Sequence, residues 1–202
     1  MFSPLIKQLI TSLQSLPSVG PKSAQRMAFH LLAKSRRAKG LALAESLQSA
    51  ISQVGECQLC RIYTEQDVCD ICGNLKRNPT LLCVVESPAD VAALEQTQIY
   101  SGRYFVLQGR LSPLDGIGPY EIGIPILLER LRNETITELI IATNATMEGK
   151  ATAHYIANHI DQTKIKCSRI AHGVPIGGEL EYLDGGTLSY AFHSRVPIEN
   201  YN

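Results

Sequence analysis

Apolar residues at Leu5, Ile6, Leu9, Ile10, Leu13 and Leu16 form one stripe at helical spacing, so an amphipathic helix is expected to open the chain. It should stop at Leu16-Pro17, because the residue before a proline avoids the helical region. A second helix is expected from Pro21, a favoured first-turn residue, through Ala24, Ala28, Leu31 and Leu32. A third, about Gly40 to Val54, gathers Leu43, Leu47, Ala50, Ile51 and Val54 on one face, which points to a structural role.

Beyond the cysteines the pattern changes. Leu81-Leu82-Cys83-Val84-Val85 is a continuous apolar run, as expected of a strand covered on both faces. Ser87-Pro88-Ala89-Asp90 follows as a helix start, with Ser87 as cap. Strands near 103–107, 138–143 and 165–170 alternate with helices near 121–131 and from the 144–149 segment to about Ile160, and a long loop spans 109–119. This α/β alternation predicts a parallel sheet wrapped by helices, with function at the carboxyl ends of the strands. Cys83 and Cys167 lie in the strand runs and read as buried core residues.

An apolar fraction of 45% over 202 residues suffices for a real core. No run of eighteen apolar residues occurs, and Met1-Phe2-Ser3-Pro4 lacks the features of a signal peptide, so a cytoplasmic location without membrane contact is expected. The zero net charge hides an asymmetry. Residues 1–54 carry seven bases (Lys7, Lys22, Arg26, Lys34, Arg36, Arg37, Lys39) against the single acid Glu45, leaving twelve bases and eighteen acids for the rest. A basic end on an acidic body suits a phosphate-binding surface joined to one for metal or a basic partner; solvated helix faces account for the charge equally well.

Four of the six cysteines fall in Cys57-x2-Cys60-x8-Cys69-x2-Cys72. Each pair can present two thiolates from one tight turn, and two such turns close a tetrahedral zinc site. A closed site has no open position for water, so it holds structure and does not catalyse. A redox dithiol or unpaired core thiols are the alternatives, and tandem pairs speak for zinc. The segment reads as a metal-pinned joint between two unlike parts of the chain.

The turn Leu16-Pro17-Ser18-Val19-Gly20-Pro21-Lys22-Ser23-Ala24 joins the first two helices. Val19 is expected to pin it to the core, and Gly20 to adopt a backbone angle that other residues resist. Amide N–H groups and a helix N-terminus would then face outward, where a phosphate sits, with Lys22 and Arg26 adding charge on one face. A plain helical hairpin uses the same punctuation. His30 reads as a core or edge residue. With its basic residues so placed, the turn resembles a helix-hairpin-helix motif, which grips nucleic-acid backbone without reading bases.

Glu86 at the end of the first long strand, with the polar loop Asn144-Ala145-Thr146 after a later one, resembles the Toprim domain of topoisomerases and primases. In that superfamily the glutamate serves acid/base chemistry and an Asp-x-Asp pair holds magnesium. Here Asn144 and Thr146 stand in the two aspartate places. Only Glu86, Asp90 and Glu148 remain as anionic ligands, so magnesium is weakly held at best. A strand-end acid and a helix first-turn acid need no metal to account for them.

Three stretches carry a wider resemblance: Val84-Val85-Glu86-Ser87-Pro88-Ala89-Asp90; residues 111–119, LSPLDGIGP; and residues 169–181, RIAHGVPIGGELE. With the order hairpin, four-cysteine site, Toprim-like domain and glycine-rich tail, they resemble the RecR family of bacterial recombination mediators over essentially the whole chain. One departure is Lys150, where the family pattern implies a second glutamate after Glu148-Gly149.

The resemblance implies residues 1–54 as the DNA-binding region, 55–76 as a zinc finger, 79–175 as a Toprim domain and 176–202 as a subunit-contact tail. It implies a homo-oligomeric ring, typically a tetramer, that clamps DNA. Such a ring acts with RecO and RecF to load RecA on single-stranded DNA, without catalysis, at the nucleoid. A magnesium-dependent nuclease or primase-like enzyme is the alternative. His172 would then be a hydrogen-bonded structural histidine near the acidic face, and the tail 181–190 a turn and short element too small to bury its own apolar residues.

Overall fold

The computed structural model describes residues 2–171, 173–195 and 197. The chain divides into two compact units, Met1–Val54 and Gly55–Asn202. The four-cysteine segment therefore belongs to the second unit.

In the first unit α1 (Pro4–Gln14) and α2 (Pro21–Leu32) pack as a hairpin, and a single 3-10 turn, Lys34–Arg36, leads into α3 (Arg37–Gln53). Proline stands in the first turn of α1 and of α2, where its missing N–H costs nothing. Two alanines, Ala24 and Ala28, are fully buried, letting the helices approach closely. Phe2 and Phe29 meet edge to face with ring centroids 5.3 Å apart. The face expected to seat α3 is not covered. Leu43, Leu47 and Ile51 stay exposed, because a three-helix unit this small has no second layer to set against them.

The second unit begins with a two-stranded antiparallel ribbon, β1 (Gly55–Glu56) and β2 (Tyr63–Thr64), and the short helix α4 (Asp70–Gly73). The sheet that follows is wholly parallel: β3 (Leu81–Val85), β4 (Arg103–Val106), β5 (Glu138–Ala142) and β6 (Lys166–Arg169), in the spatial order β4-β3-β5-β6. Its crossovers carry α5 (Pro88–Thr97), α6 (Ile124–Asn133) and α7 (Met147–Asn158). The tail adds a 3-10 turn, Leu180–Tyr182, and α8 (Gly185–His193).

Alternation along the strands sorts the core into two layers. Leu82, Val84, Phe105, Leu139 and Ile141 pack with Ile124, Leu127 and Leu131 of α6 and with Ala153 and Ile156 of α7. Cys83, Val85, Tyr104 and Val106 point the other way, against Val91 and Leu94 of α5 and against Ile62 and Ile71 of the four-cysteine segment. That segment takes the place of a second helix on this face. Cys83 is buried as expected, whereas Cys167, on edge strand β6, is only half-buried.

β3 leads to β4 on one side, and the chain then returns to lay β5 on the other side of β3. The carboxyl ends of β3 and β5 thus flank the point where strand order reverses, and a crevice opens there in sheets of this kind.

Candidate nucleic-acid interface, metal centre and acidic crevice

The turn between α1 and α2 leaves the start of α2 open. The first helical bond runs from Ala24 N–H to the Gly20 carbonyl, 3.0 Å, and no side chain caps the helix. Its first-turn amides therefore face outward. Lys22 and Arg26 are exposed on α2. Val19 is half-buried, and its amide is turned inward onto the Leu16 carbonyl at 3.2 Å. The expectation for Gly20 is corrected: its backbone is extended (φ −79°, ψ 171°), and the left-handed residue is Ser18 (φ 63°). The chain reverses one step earlier than the glycine suggests. A Cβ at Gly20 would meet no atom within 4 Å, so the glycine leaves its surroundings bare without relieving strain. His30 is an edge residue, its Nε2 2.7 Å from Arg36 Nη1.

The four cysteines converge, with their Sγ atoms all within 4.8 Å of one another and every residue buried. Zn–S bonds of about 2.3 Å in a tetrahedron put sulfurs roughly 3.8 Å apart, and Cys60 and Cys69 Sγ are separated by 3.5 Å. The donor set and geometry fit structural zinc. The first turn is closed by Arg61 N–H on the Cys57 carbonyl (2.8 Å), with Arg61 left-handed at φ 64°; the second by Gly73 N–H on the Cys69 carbonyl (2.9 Å). Cys69 N–H also donates to Cys57 Sγ at 3.3 Å.

Acidities within the set diverge. Burial pushes the Cys57 thiol up, but amides of Cys69, Cys60 and Leu59 outweigh it and bring it down to about 7. Burial drives Cys69 up to about 11, and the bond to Cys72, with burial, raises Cys60 further. Thiols this close oppose one another's ionisation, and a divalent cation removes the conflict by deprotonating the whole set.

Two arginines that sequence reasoning passed over fasten this centre to the sheet. Arg61 Nη1 donates to the carbonyls of Leu107 (3.2 Å) and Ile122 (2.8 Å), and its guanidinium carbon lies 5.9 Å from the Phe105 ring centroid. Arg130, on α6, donates through Nη1 to the Leu59 carbonyl inside the first cysteine turn (2.7 Å) and to Tyr104 of β4 (2.9 Å). Val106 N–H donates to the Cys60 carbonyl at 2.8 Å, so the finger covers the open edge of β4. Gly123 (φ +73°) admits Arg61, since a Cβ there would collide with Nη1. These partners lie tens of residues apart in sequence, and no local pattern signals them.

At the switch point Glu86 follows β3 and is 5% exposed. Its Oε1 accepts the Asn144 backbone N–H at 2.9 Å and its Oε2 accepts Asn144 Nδ2 at 2.6 Å. Asp90 completes a capping box on α5: its Oδ2 accepts Ser87 N–H and Oγ–H, both at 2.8 Å. Glu148 lies half-buried in the first turn of α7, and Thr146 caps that helix through Gly149 N–H at 3.0 Å. Glu86 is thus a strand-end acid with both oxygens engaged, and Asp90 a half-buried first-turn acid with one oxygen engaged. Among the described residues no set of three or more Cys, His, Asp or Glu besides the cysteines is arranged to hold a metal. His172 lies outside the described residues.

Comparison with known proteins covers almost the whole chain. Family models match as RecR, helix-hairpin-helix at residues 6–51; RecR, four-cysteine zinc finger domain at 54–74; Toprim domain at 80–171; and RecR, C-terminal at 173–196. The chain is 81% identical over 200 residues to Recombination protein RecR of Coxiella burnetii (strain RSA 493 / Nine Mile phase I), covering 99% of the chain and 100% of that relative. It is 59% identical over 198 residues to Recombination protein RecR of Saccharophagus degradans (strain 2-40 / ATCC 43961 / DSM 17024), covering 98% and 100%.

Proposed function

The chain belongs to the RecR family of recombination proteins, and from that membership we propose that it is a non-catalytic, DNA-binding recombination mediator. Residues 1–54 hold DNA by its phosphates through the Val19–Gly20 turn, Lys22 and Arg26. Residues 55–76 brace the body through zinc, residues 79–175 form the Toprim surface, with the half-buried Asp90 and Glu148 as its acids and Glu86 nearly enclosed, and residues 176–202 contact another subunit. The observation that carries the reading is the uncapped start of α2, with Lys22 and Arg26 exposed, in a region with seven bases and one acid. Open amides and two cations on one helix face suit a phosphate and offer nothing that reads a base.

Assembly into a ring, a tetramer, is supported by apolar faces that a single chain leaves bare. In the first unit α3 exposes Leu41, Leu43, Leu47 and Ile51, and in the tail Tyr182 is 78% and Phe192 76% exposed, with no residue of α8 buried. Several hairpins on one ring multiply weak contacts through avidity. The ring acts in the cytoplasm, at the nucleoid, with RecO and RecF to load RecA on single-stranded DNA, the Toprim surface receiving the basic partner. No helix among the described residues is long and apolar enough to cross a membrane. A magnesium-dependent nuclease or primase-like enzyme would need Glu86 free to move protons, and both its oxygens instead accept hydrogen bonds from Asn144.

The test is DNA affinity against salt for the wild type and for Lys22→Ala with Arg26→Ala, on protein of mass measured by light scattering. Each phosphate contact contributes a slope of about −0.9 in log K against log salt on duplex and about −0.7 on single strands. The double variant should lose roughly two such units for every engaged hairpin, and equally for unrelated sequences. Unchanged low-salt binding would remove the hairpin from the interface.

A further inference from the structure

The Toprim fold implies a divalent cation beside Glu86, and the residues gathered there do not fit one. We propose that Asn144 stands in the cation's place. It ties the loop after β5 to the end of β3 and makes the crevice independent of divalent ions.

Three observations converge on this. Both oxygens of the Glu86 carboxylate are taken by a single residue, one by the Asn144 amide N–H and the other by its side-chain Nδ2, at 2.9 and 2.6 Å. The side-chain amide must face Glu86 with its nitrogen, because an amide oxygen at that distance would repel the carboxylate. The start of α7 crowds Oε1 as well. A Cβ at Gly149 would collide with the Asn144 carbonyl oxygen and lie 2.9 Å from Glu86 Oε1, whereas magnesium needs six oxygens at about 2.1 Å and keeps several as water.

Asn144 is itself held in place. Arg169 Nη2 approaches its carbonyl oxygen at 3.3 Å, and Thr143 Oγ1 donates to the Gly149 carbonyl at 2.8 Å, drawing the start of α7 onto the loop. One oxygen of Asp90 holds both Ser87 donors in the capping box of α5, and among the described residues Asp90 and Glu86 belong to no set of three or more groups placed to hold a metal. Two N–H dipoles of Asn144 thus supply the positive partner that a buried carboxylate requires.

The same geometry says what would reopen the site. Asn144→Asp exchanges a donor for a second carboxylate against Glu86, a pair that cannot remain charged at this separation without a cation between them. Asn144 is in this sense a specificity-determining residue: it sets whether the crevice accepts a divalent ion.

The test uses the zinc-loaded full chain in chelator-free, divalent-free buffer, with manganese as the probe. Bound manganese is read from the electron paramagnetic resonance of the free ion, and the melting temperature is followed in parallel. Wild type should bind no manganese at millimolar ion and melt unchanged. Asn144→Asp should melt roughly 5–10 °C lower without ions, bind about one manganese per chain and regain its melting temperature. Adding Glu86→Gln to that variant should abolish the binding. Asn144→Ala, which lacks the repulsion, should melt lower and gain nothing from manganese.

Stoichiometric manganese on the wild type that Glu86→Gln removes would overturn the proposal. So would an Asn144→Ala protein that melts with the wild type, or a folded Asn144→Asp protein indifferent to manganese.

Discussion

Arg130→Met is the sharpest test of how the metal centre is held. The arginine side chain is 6% exposed and reaches three partners: the Leu59 carbonyl at 2.7 Å, the Tyr104 carbonyl at 2.9 Å and Glu134 at 2.9 Å through Nε. Methionine keeps much of the apolar stem and removes every donor. Hydrogen bonds to a charged group contribute about 1.5–3 kcal/mol each, and breaking one side of a buried ion pair costs about 3–5 kcal/mol. Glu134 is a quarter exposed, so water recovers part of its loss. The two carbonyls are less fortunate.

A net destabilisation of about 3–5 kcal/mol follows, or roughly 6–20 °C in melting temperature at about 2–4 °C per kcal/mol. Because Leu59 lies between two zinc ligands, zinc should also transfer faster to a metallochromic chelator. Arg130→Lys, a point charge without the planar fork, should fall between. A methionine variant that melts within about 2 °C of the wild type and releases zinc at the same rate would refute the argument.

Cys60→Ser should leave the second unit short of zinc and unfolding at lower denaturant, because a structural site contributes its binding energy to folding; full zinc content by atomic absorption with unchanged stability would contradict this. Gly123→Ala should lower both melting temperature and zinc retention, since its Cβ lands on Arg61 Nη1 at a left-handed backbone (φ +73°), and Arg61→Ala combined with it should show less than additive loss. Glu95 makes a pH prediction: its hydrogen bond to Arg77, with a further one from Tyr104, holds its carboxyl below the usual value. A folded-state value below the unfolded one gives stability that is full above the ordinary carboxylate range, about 4.3, and lost as pH falls through the folded value. The stability gap between wild type and Glu95→Gln, from urea melts, should therefore be widest at neutral pH and close in acid; a gap that stays constant would show that the pair is not the cause.

Much of this was legible along the chain, because the forces involved are local. Pro21 and the Ser87-Pro88 start mark the first turns of α2 and α5, and the apolar run at 81–85 is a strand to the residue. The cysteine spacing alone brings four thiolates to one point. Local patterns were less exact where two neighbours share a task. Gly20 was the natural choice for the left-handed turn residue, yet Ser18 adopts that conformation. The helix expected from Glu121 starts at Ile124, after Gly123 has turned to receive Arg61.

Tertiary structure decided what depends on partners far apart in sequence. Strand order, and with it the switch point that brings Glu86 to Asn144, follows from which crossovers bury which faces, and no periodicity reports that. The same holds for Arg61 and Arg130, whose value lies in carbonyls contributed by other elements. Sequence chemistry determined which residues could bind phosphate, zinc or a cation. Packing determined that the finger is fastened to the sheet and that the central acid is already satisfied, because hydrogen bonds are directional and only the assembled fold brings donor and acceptor into line.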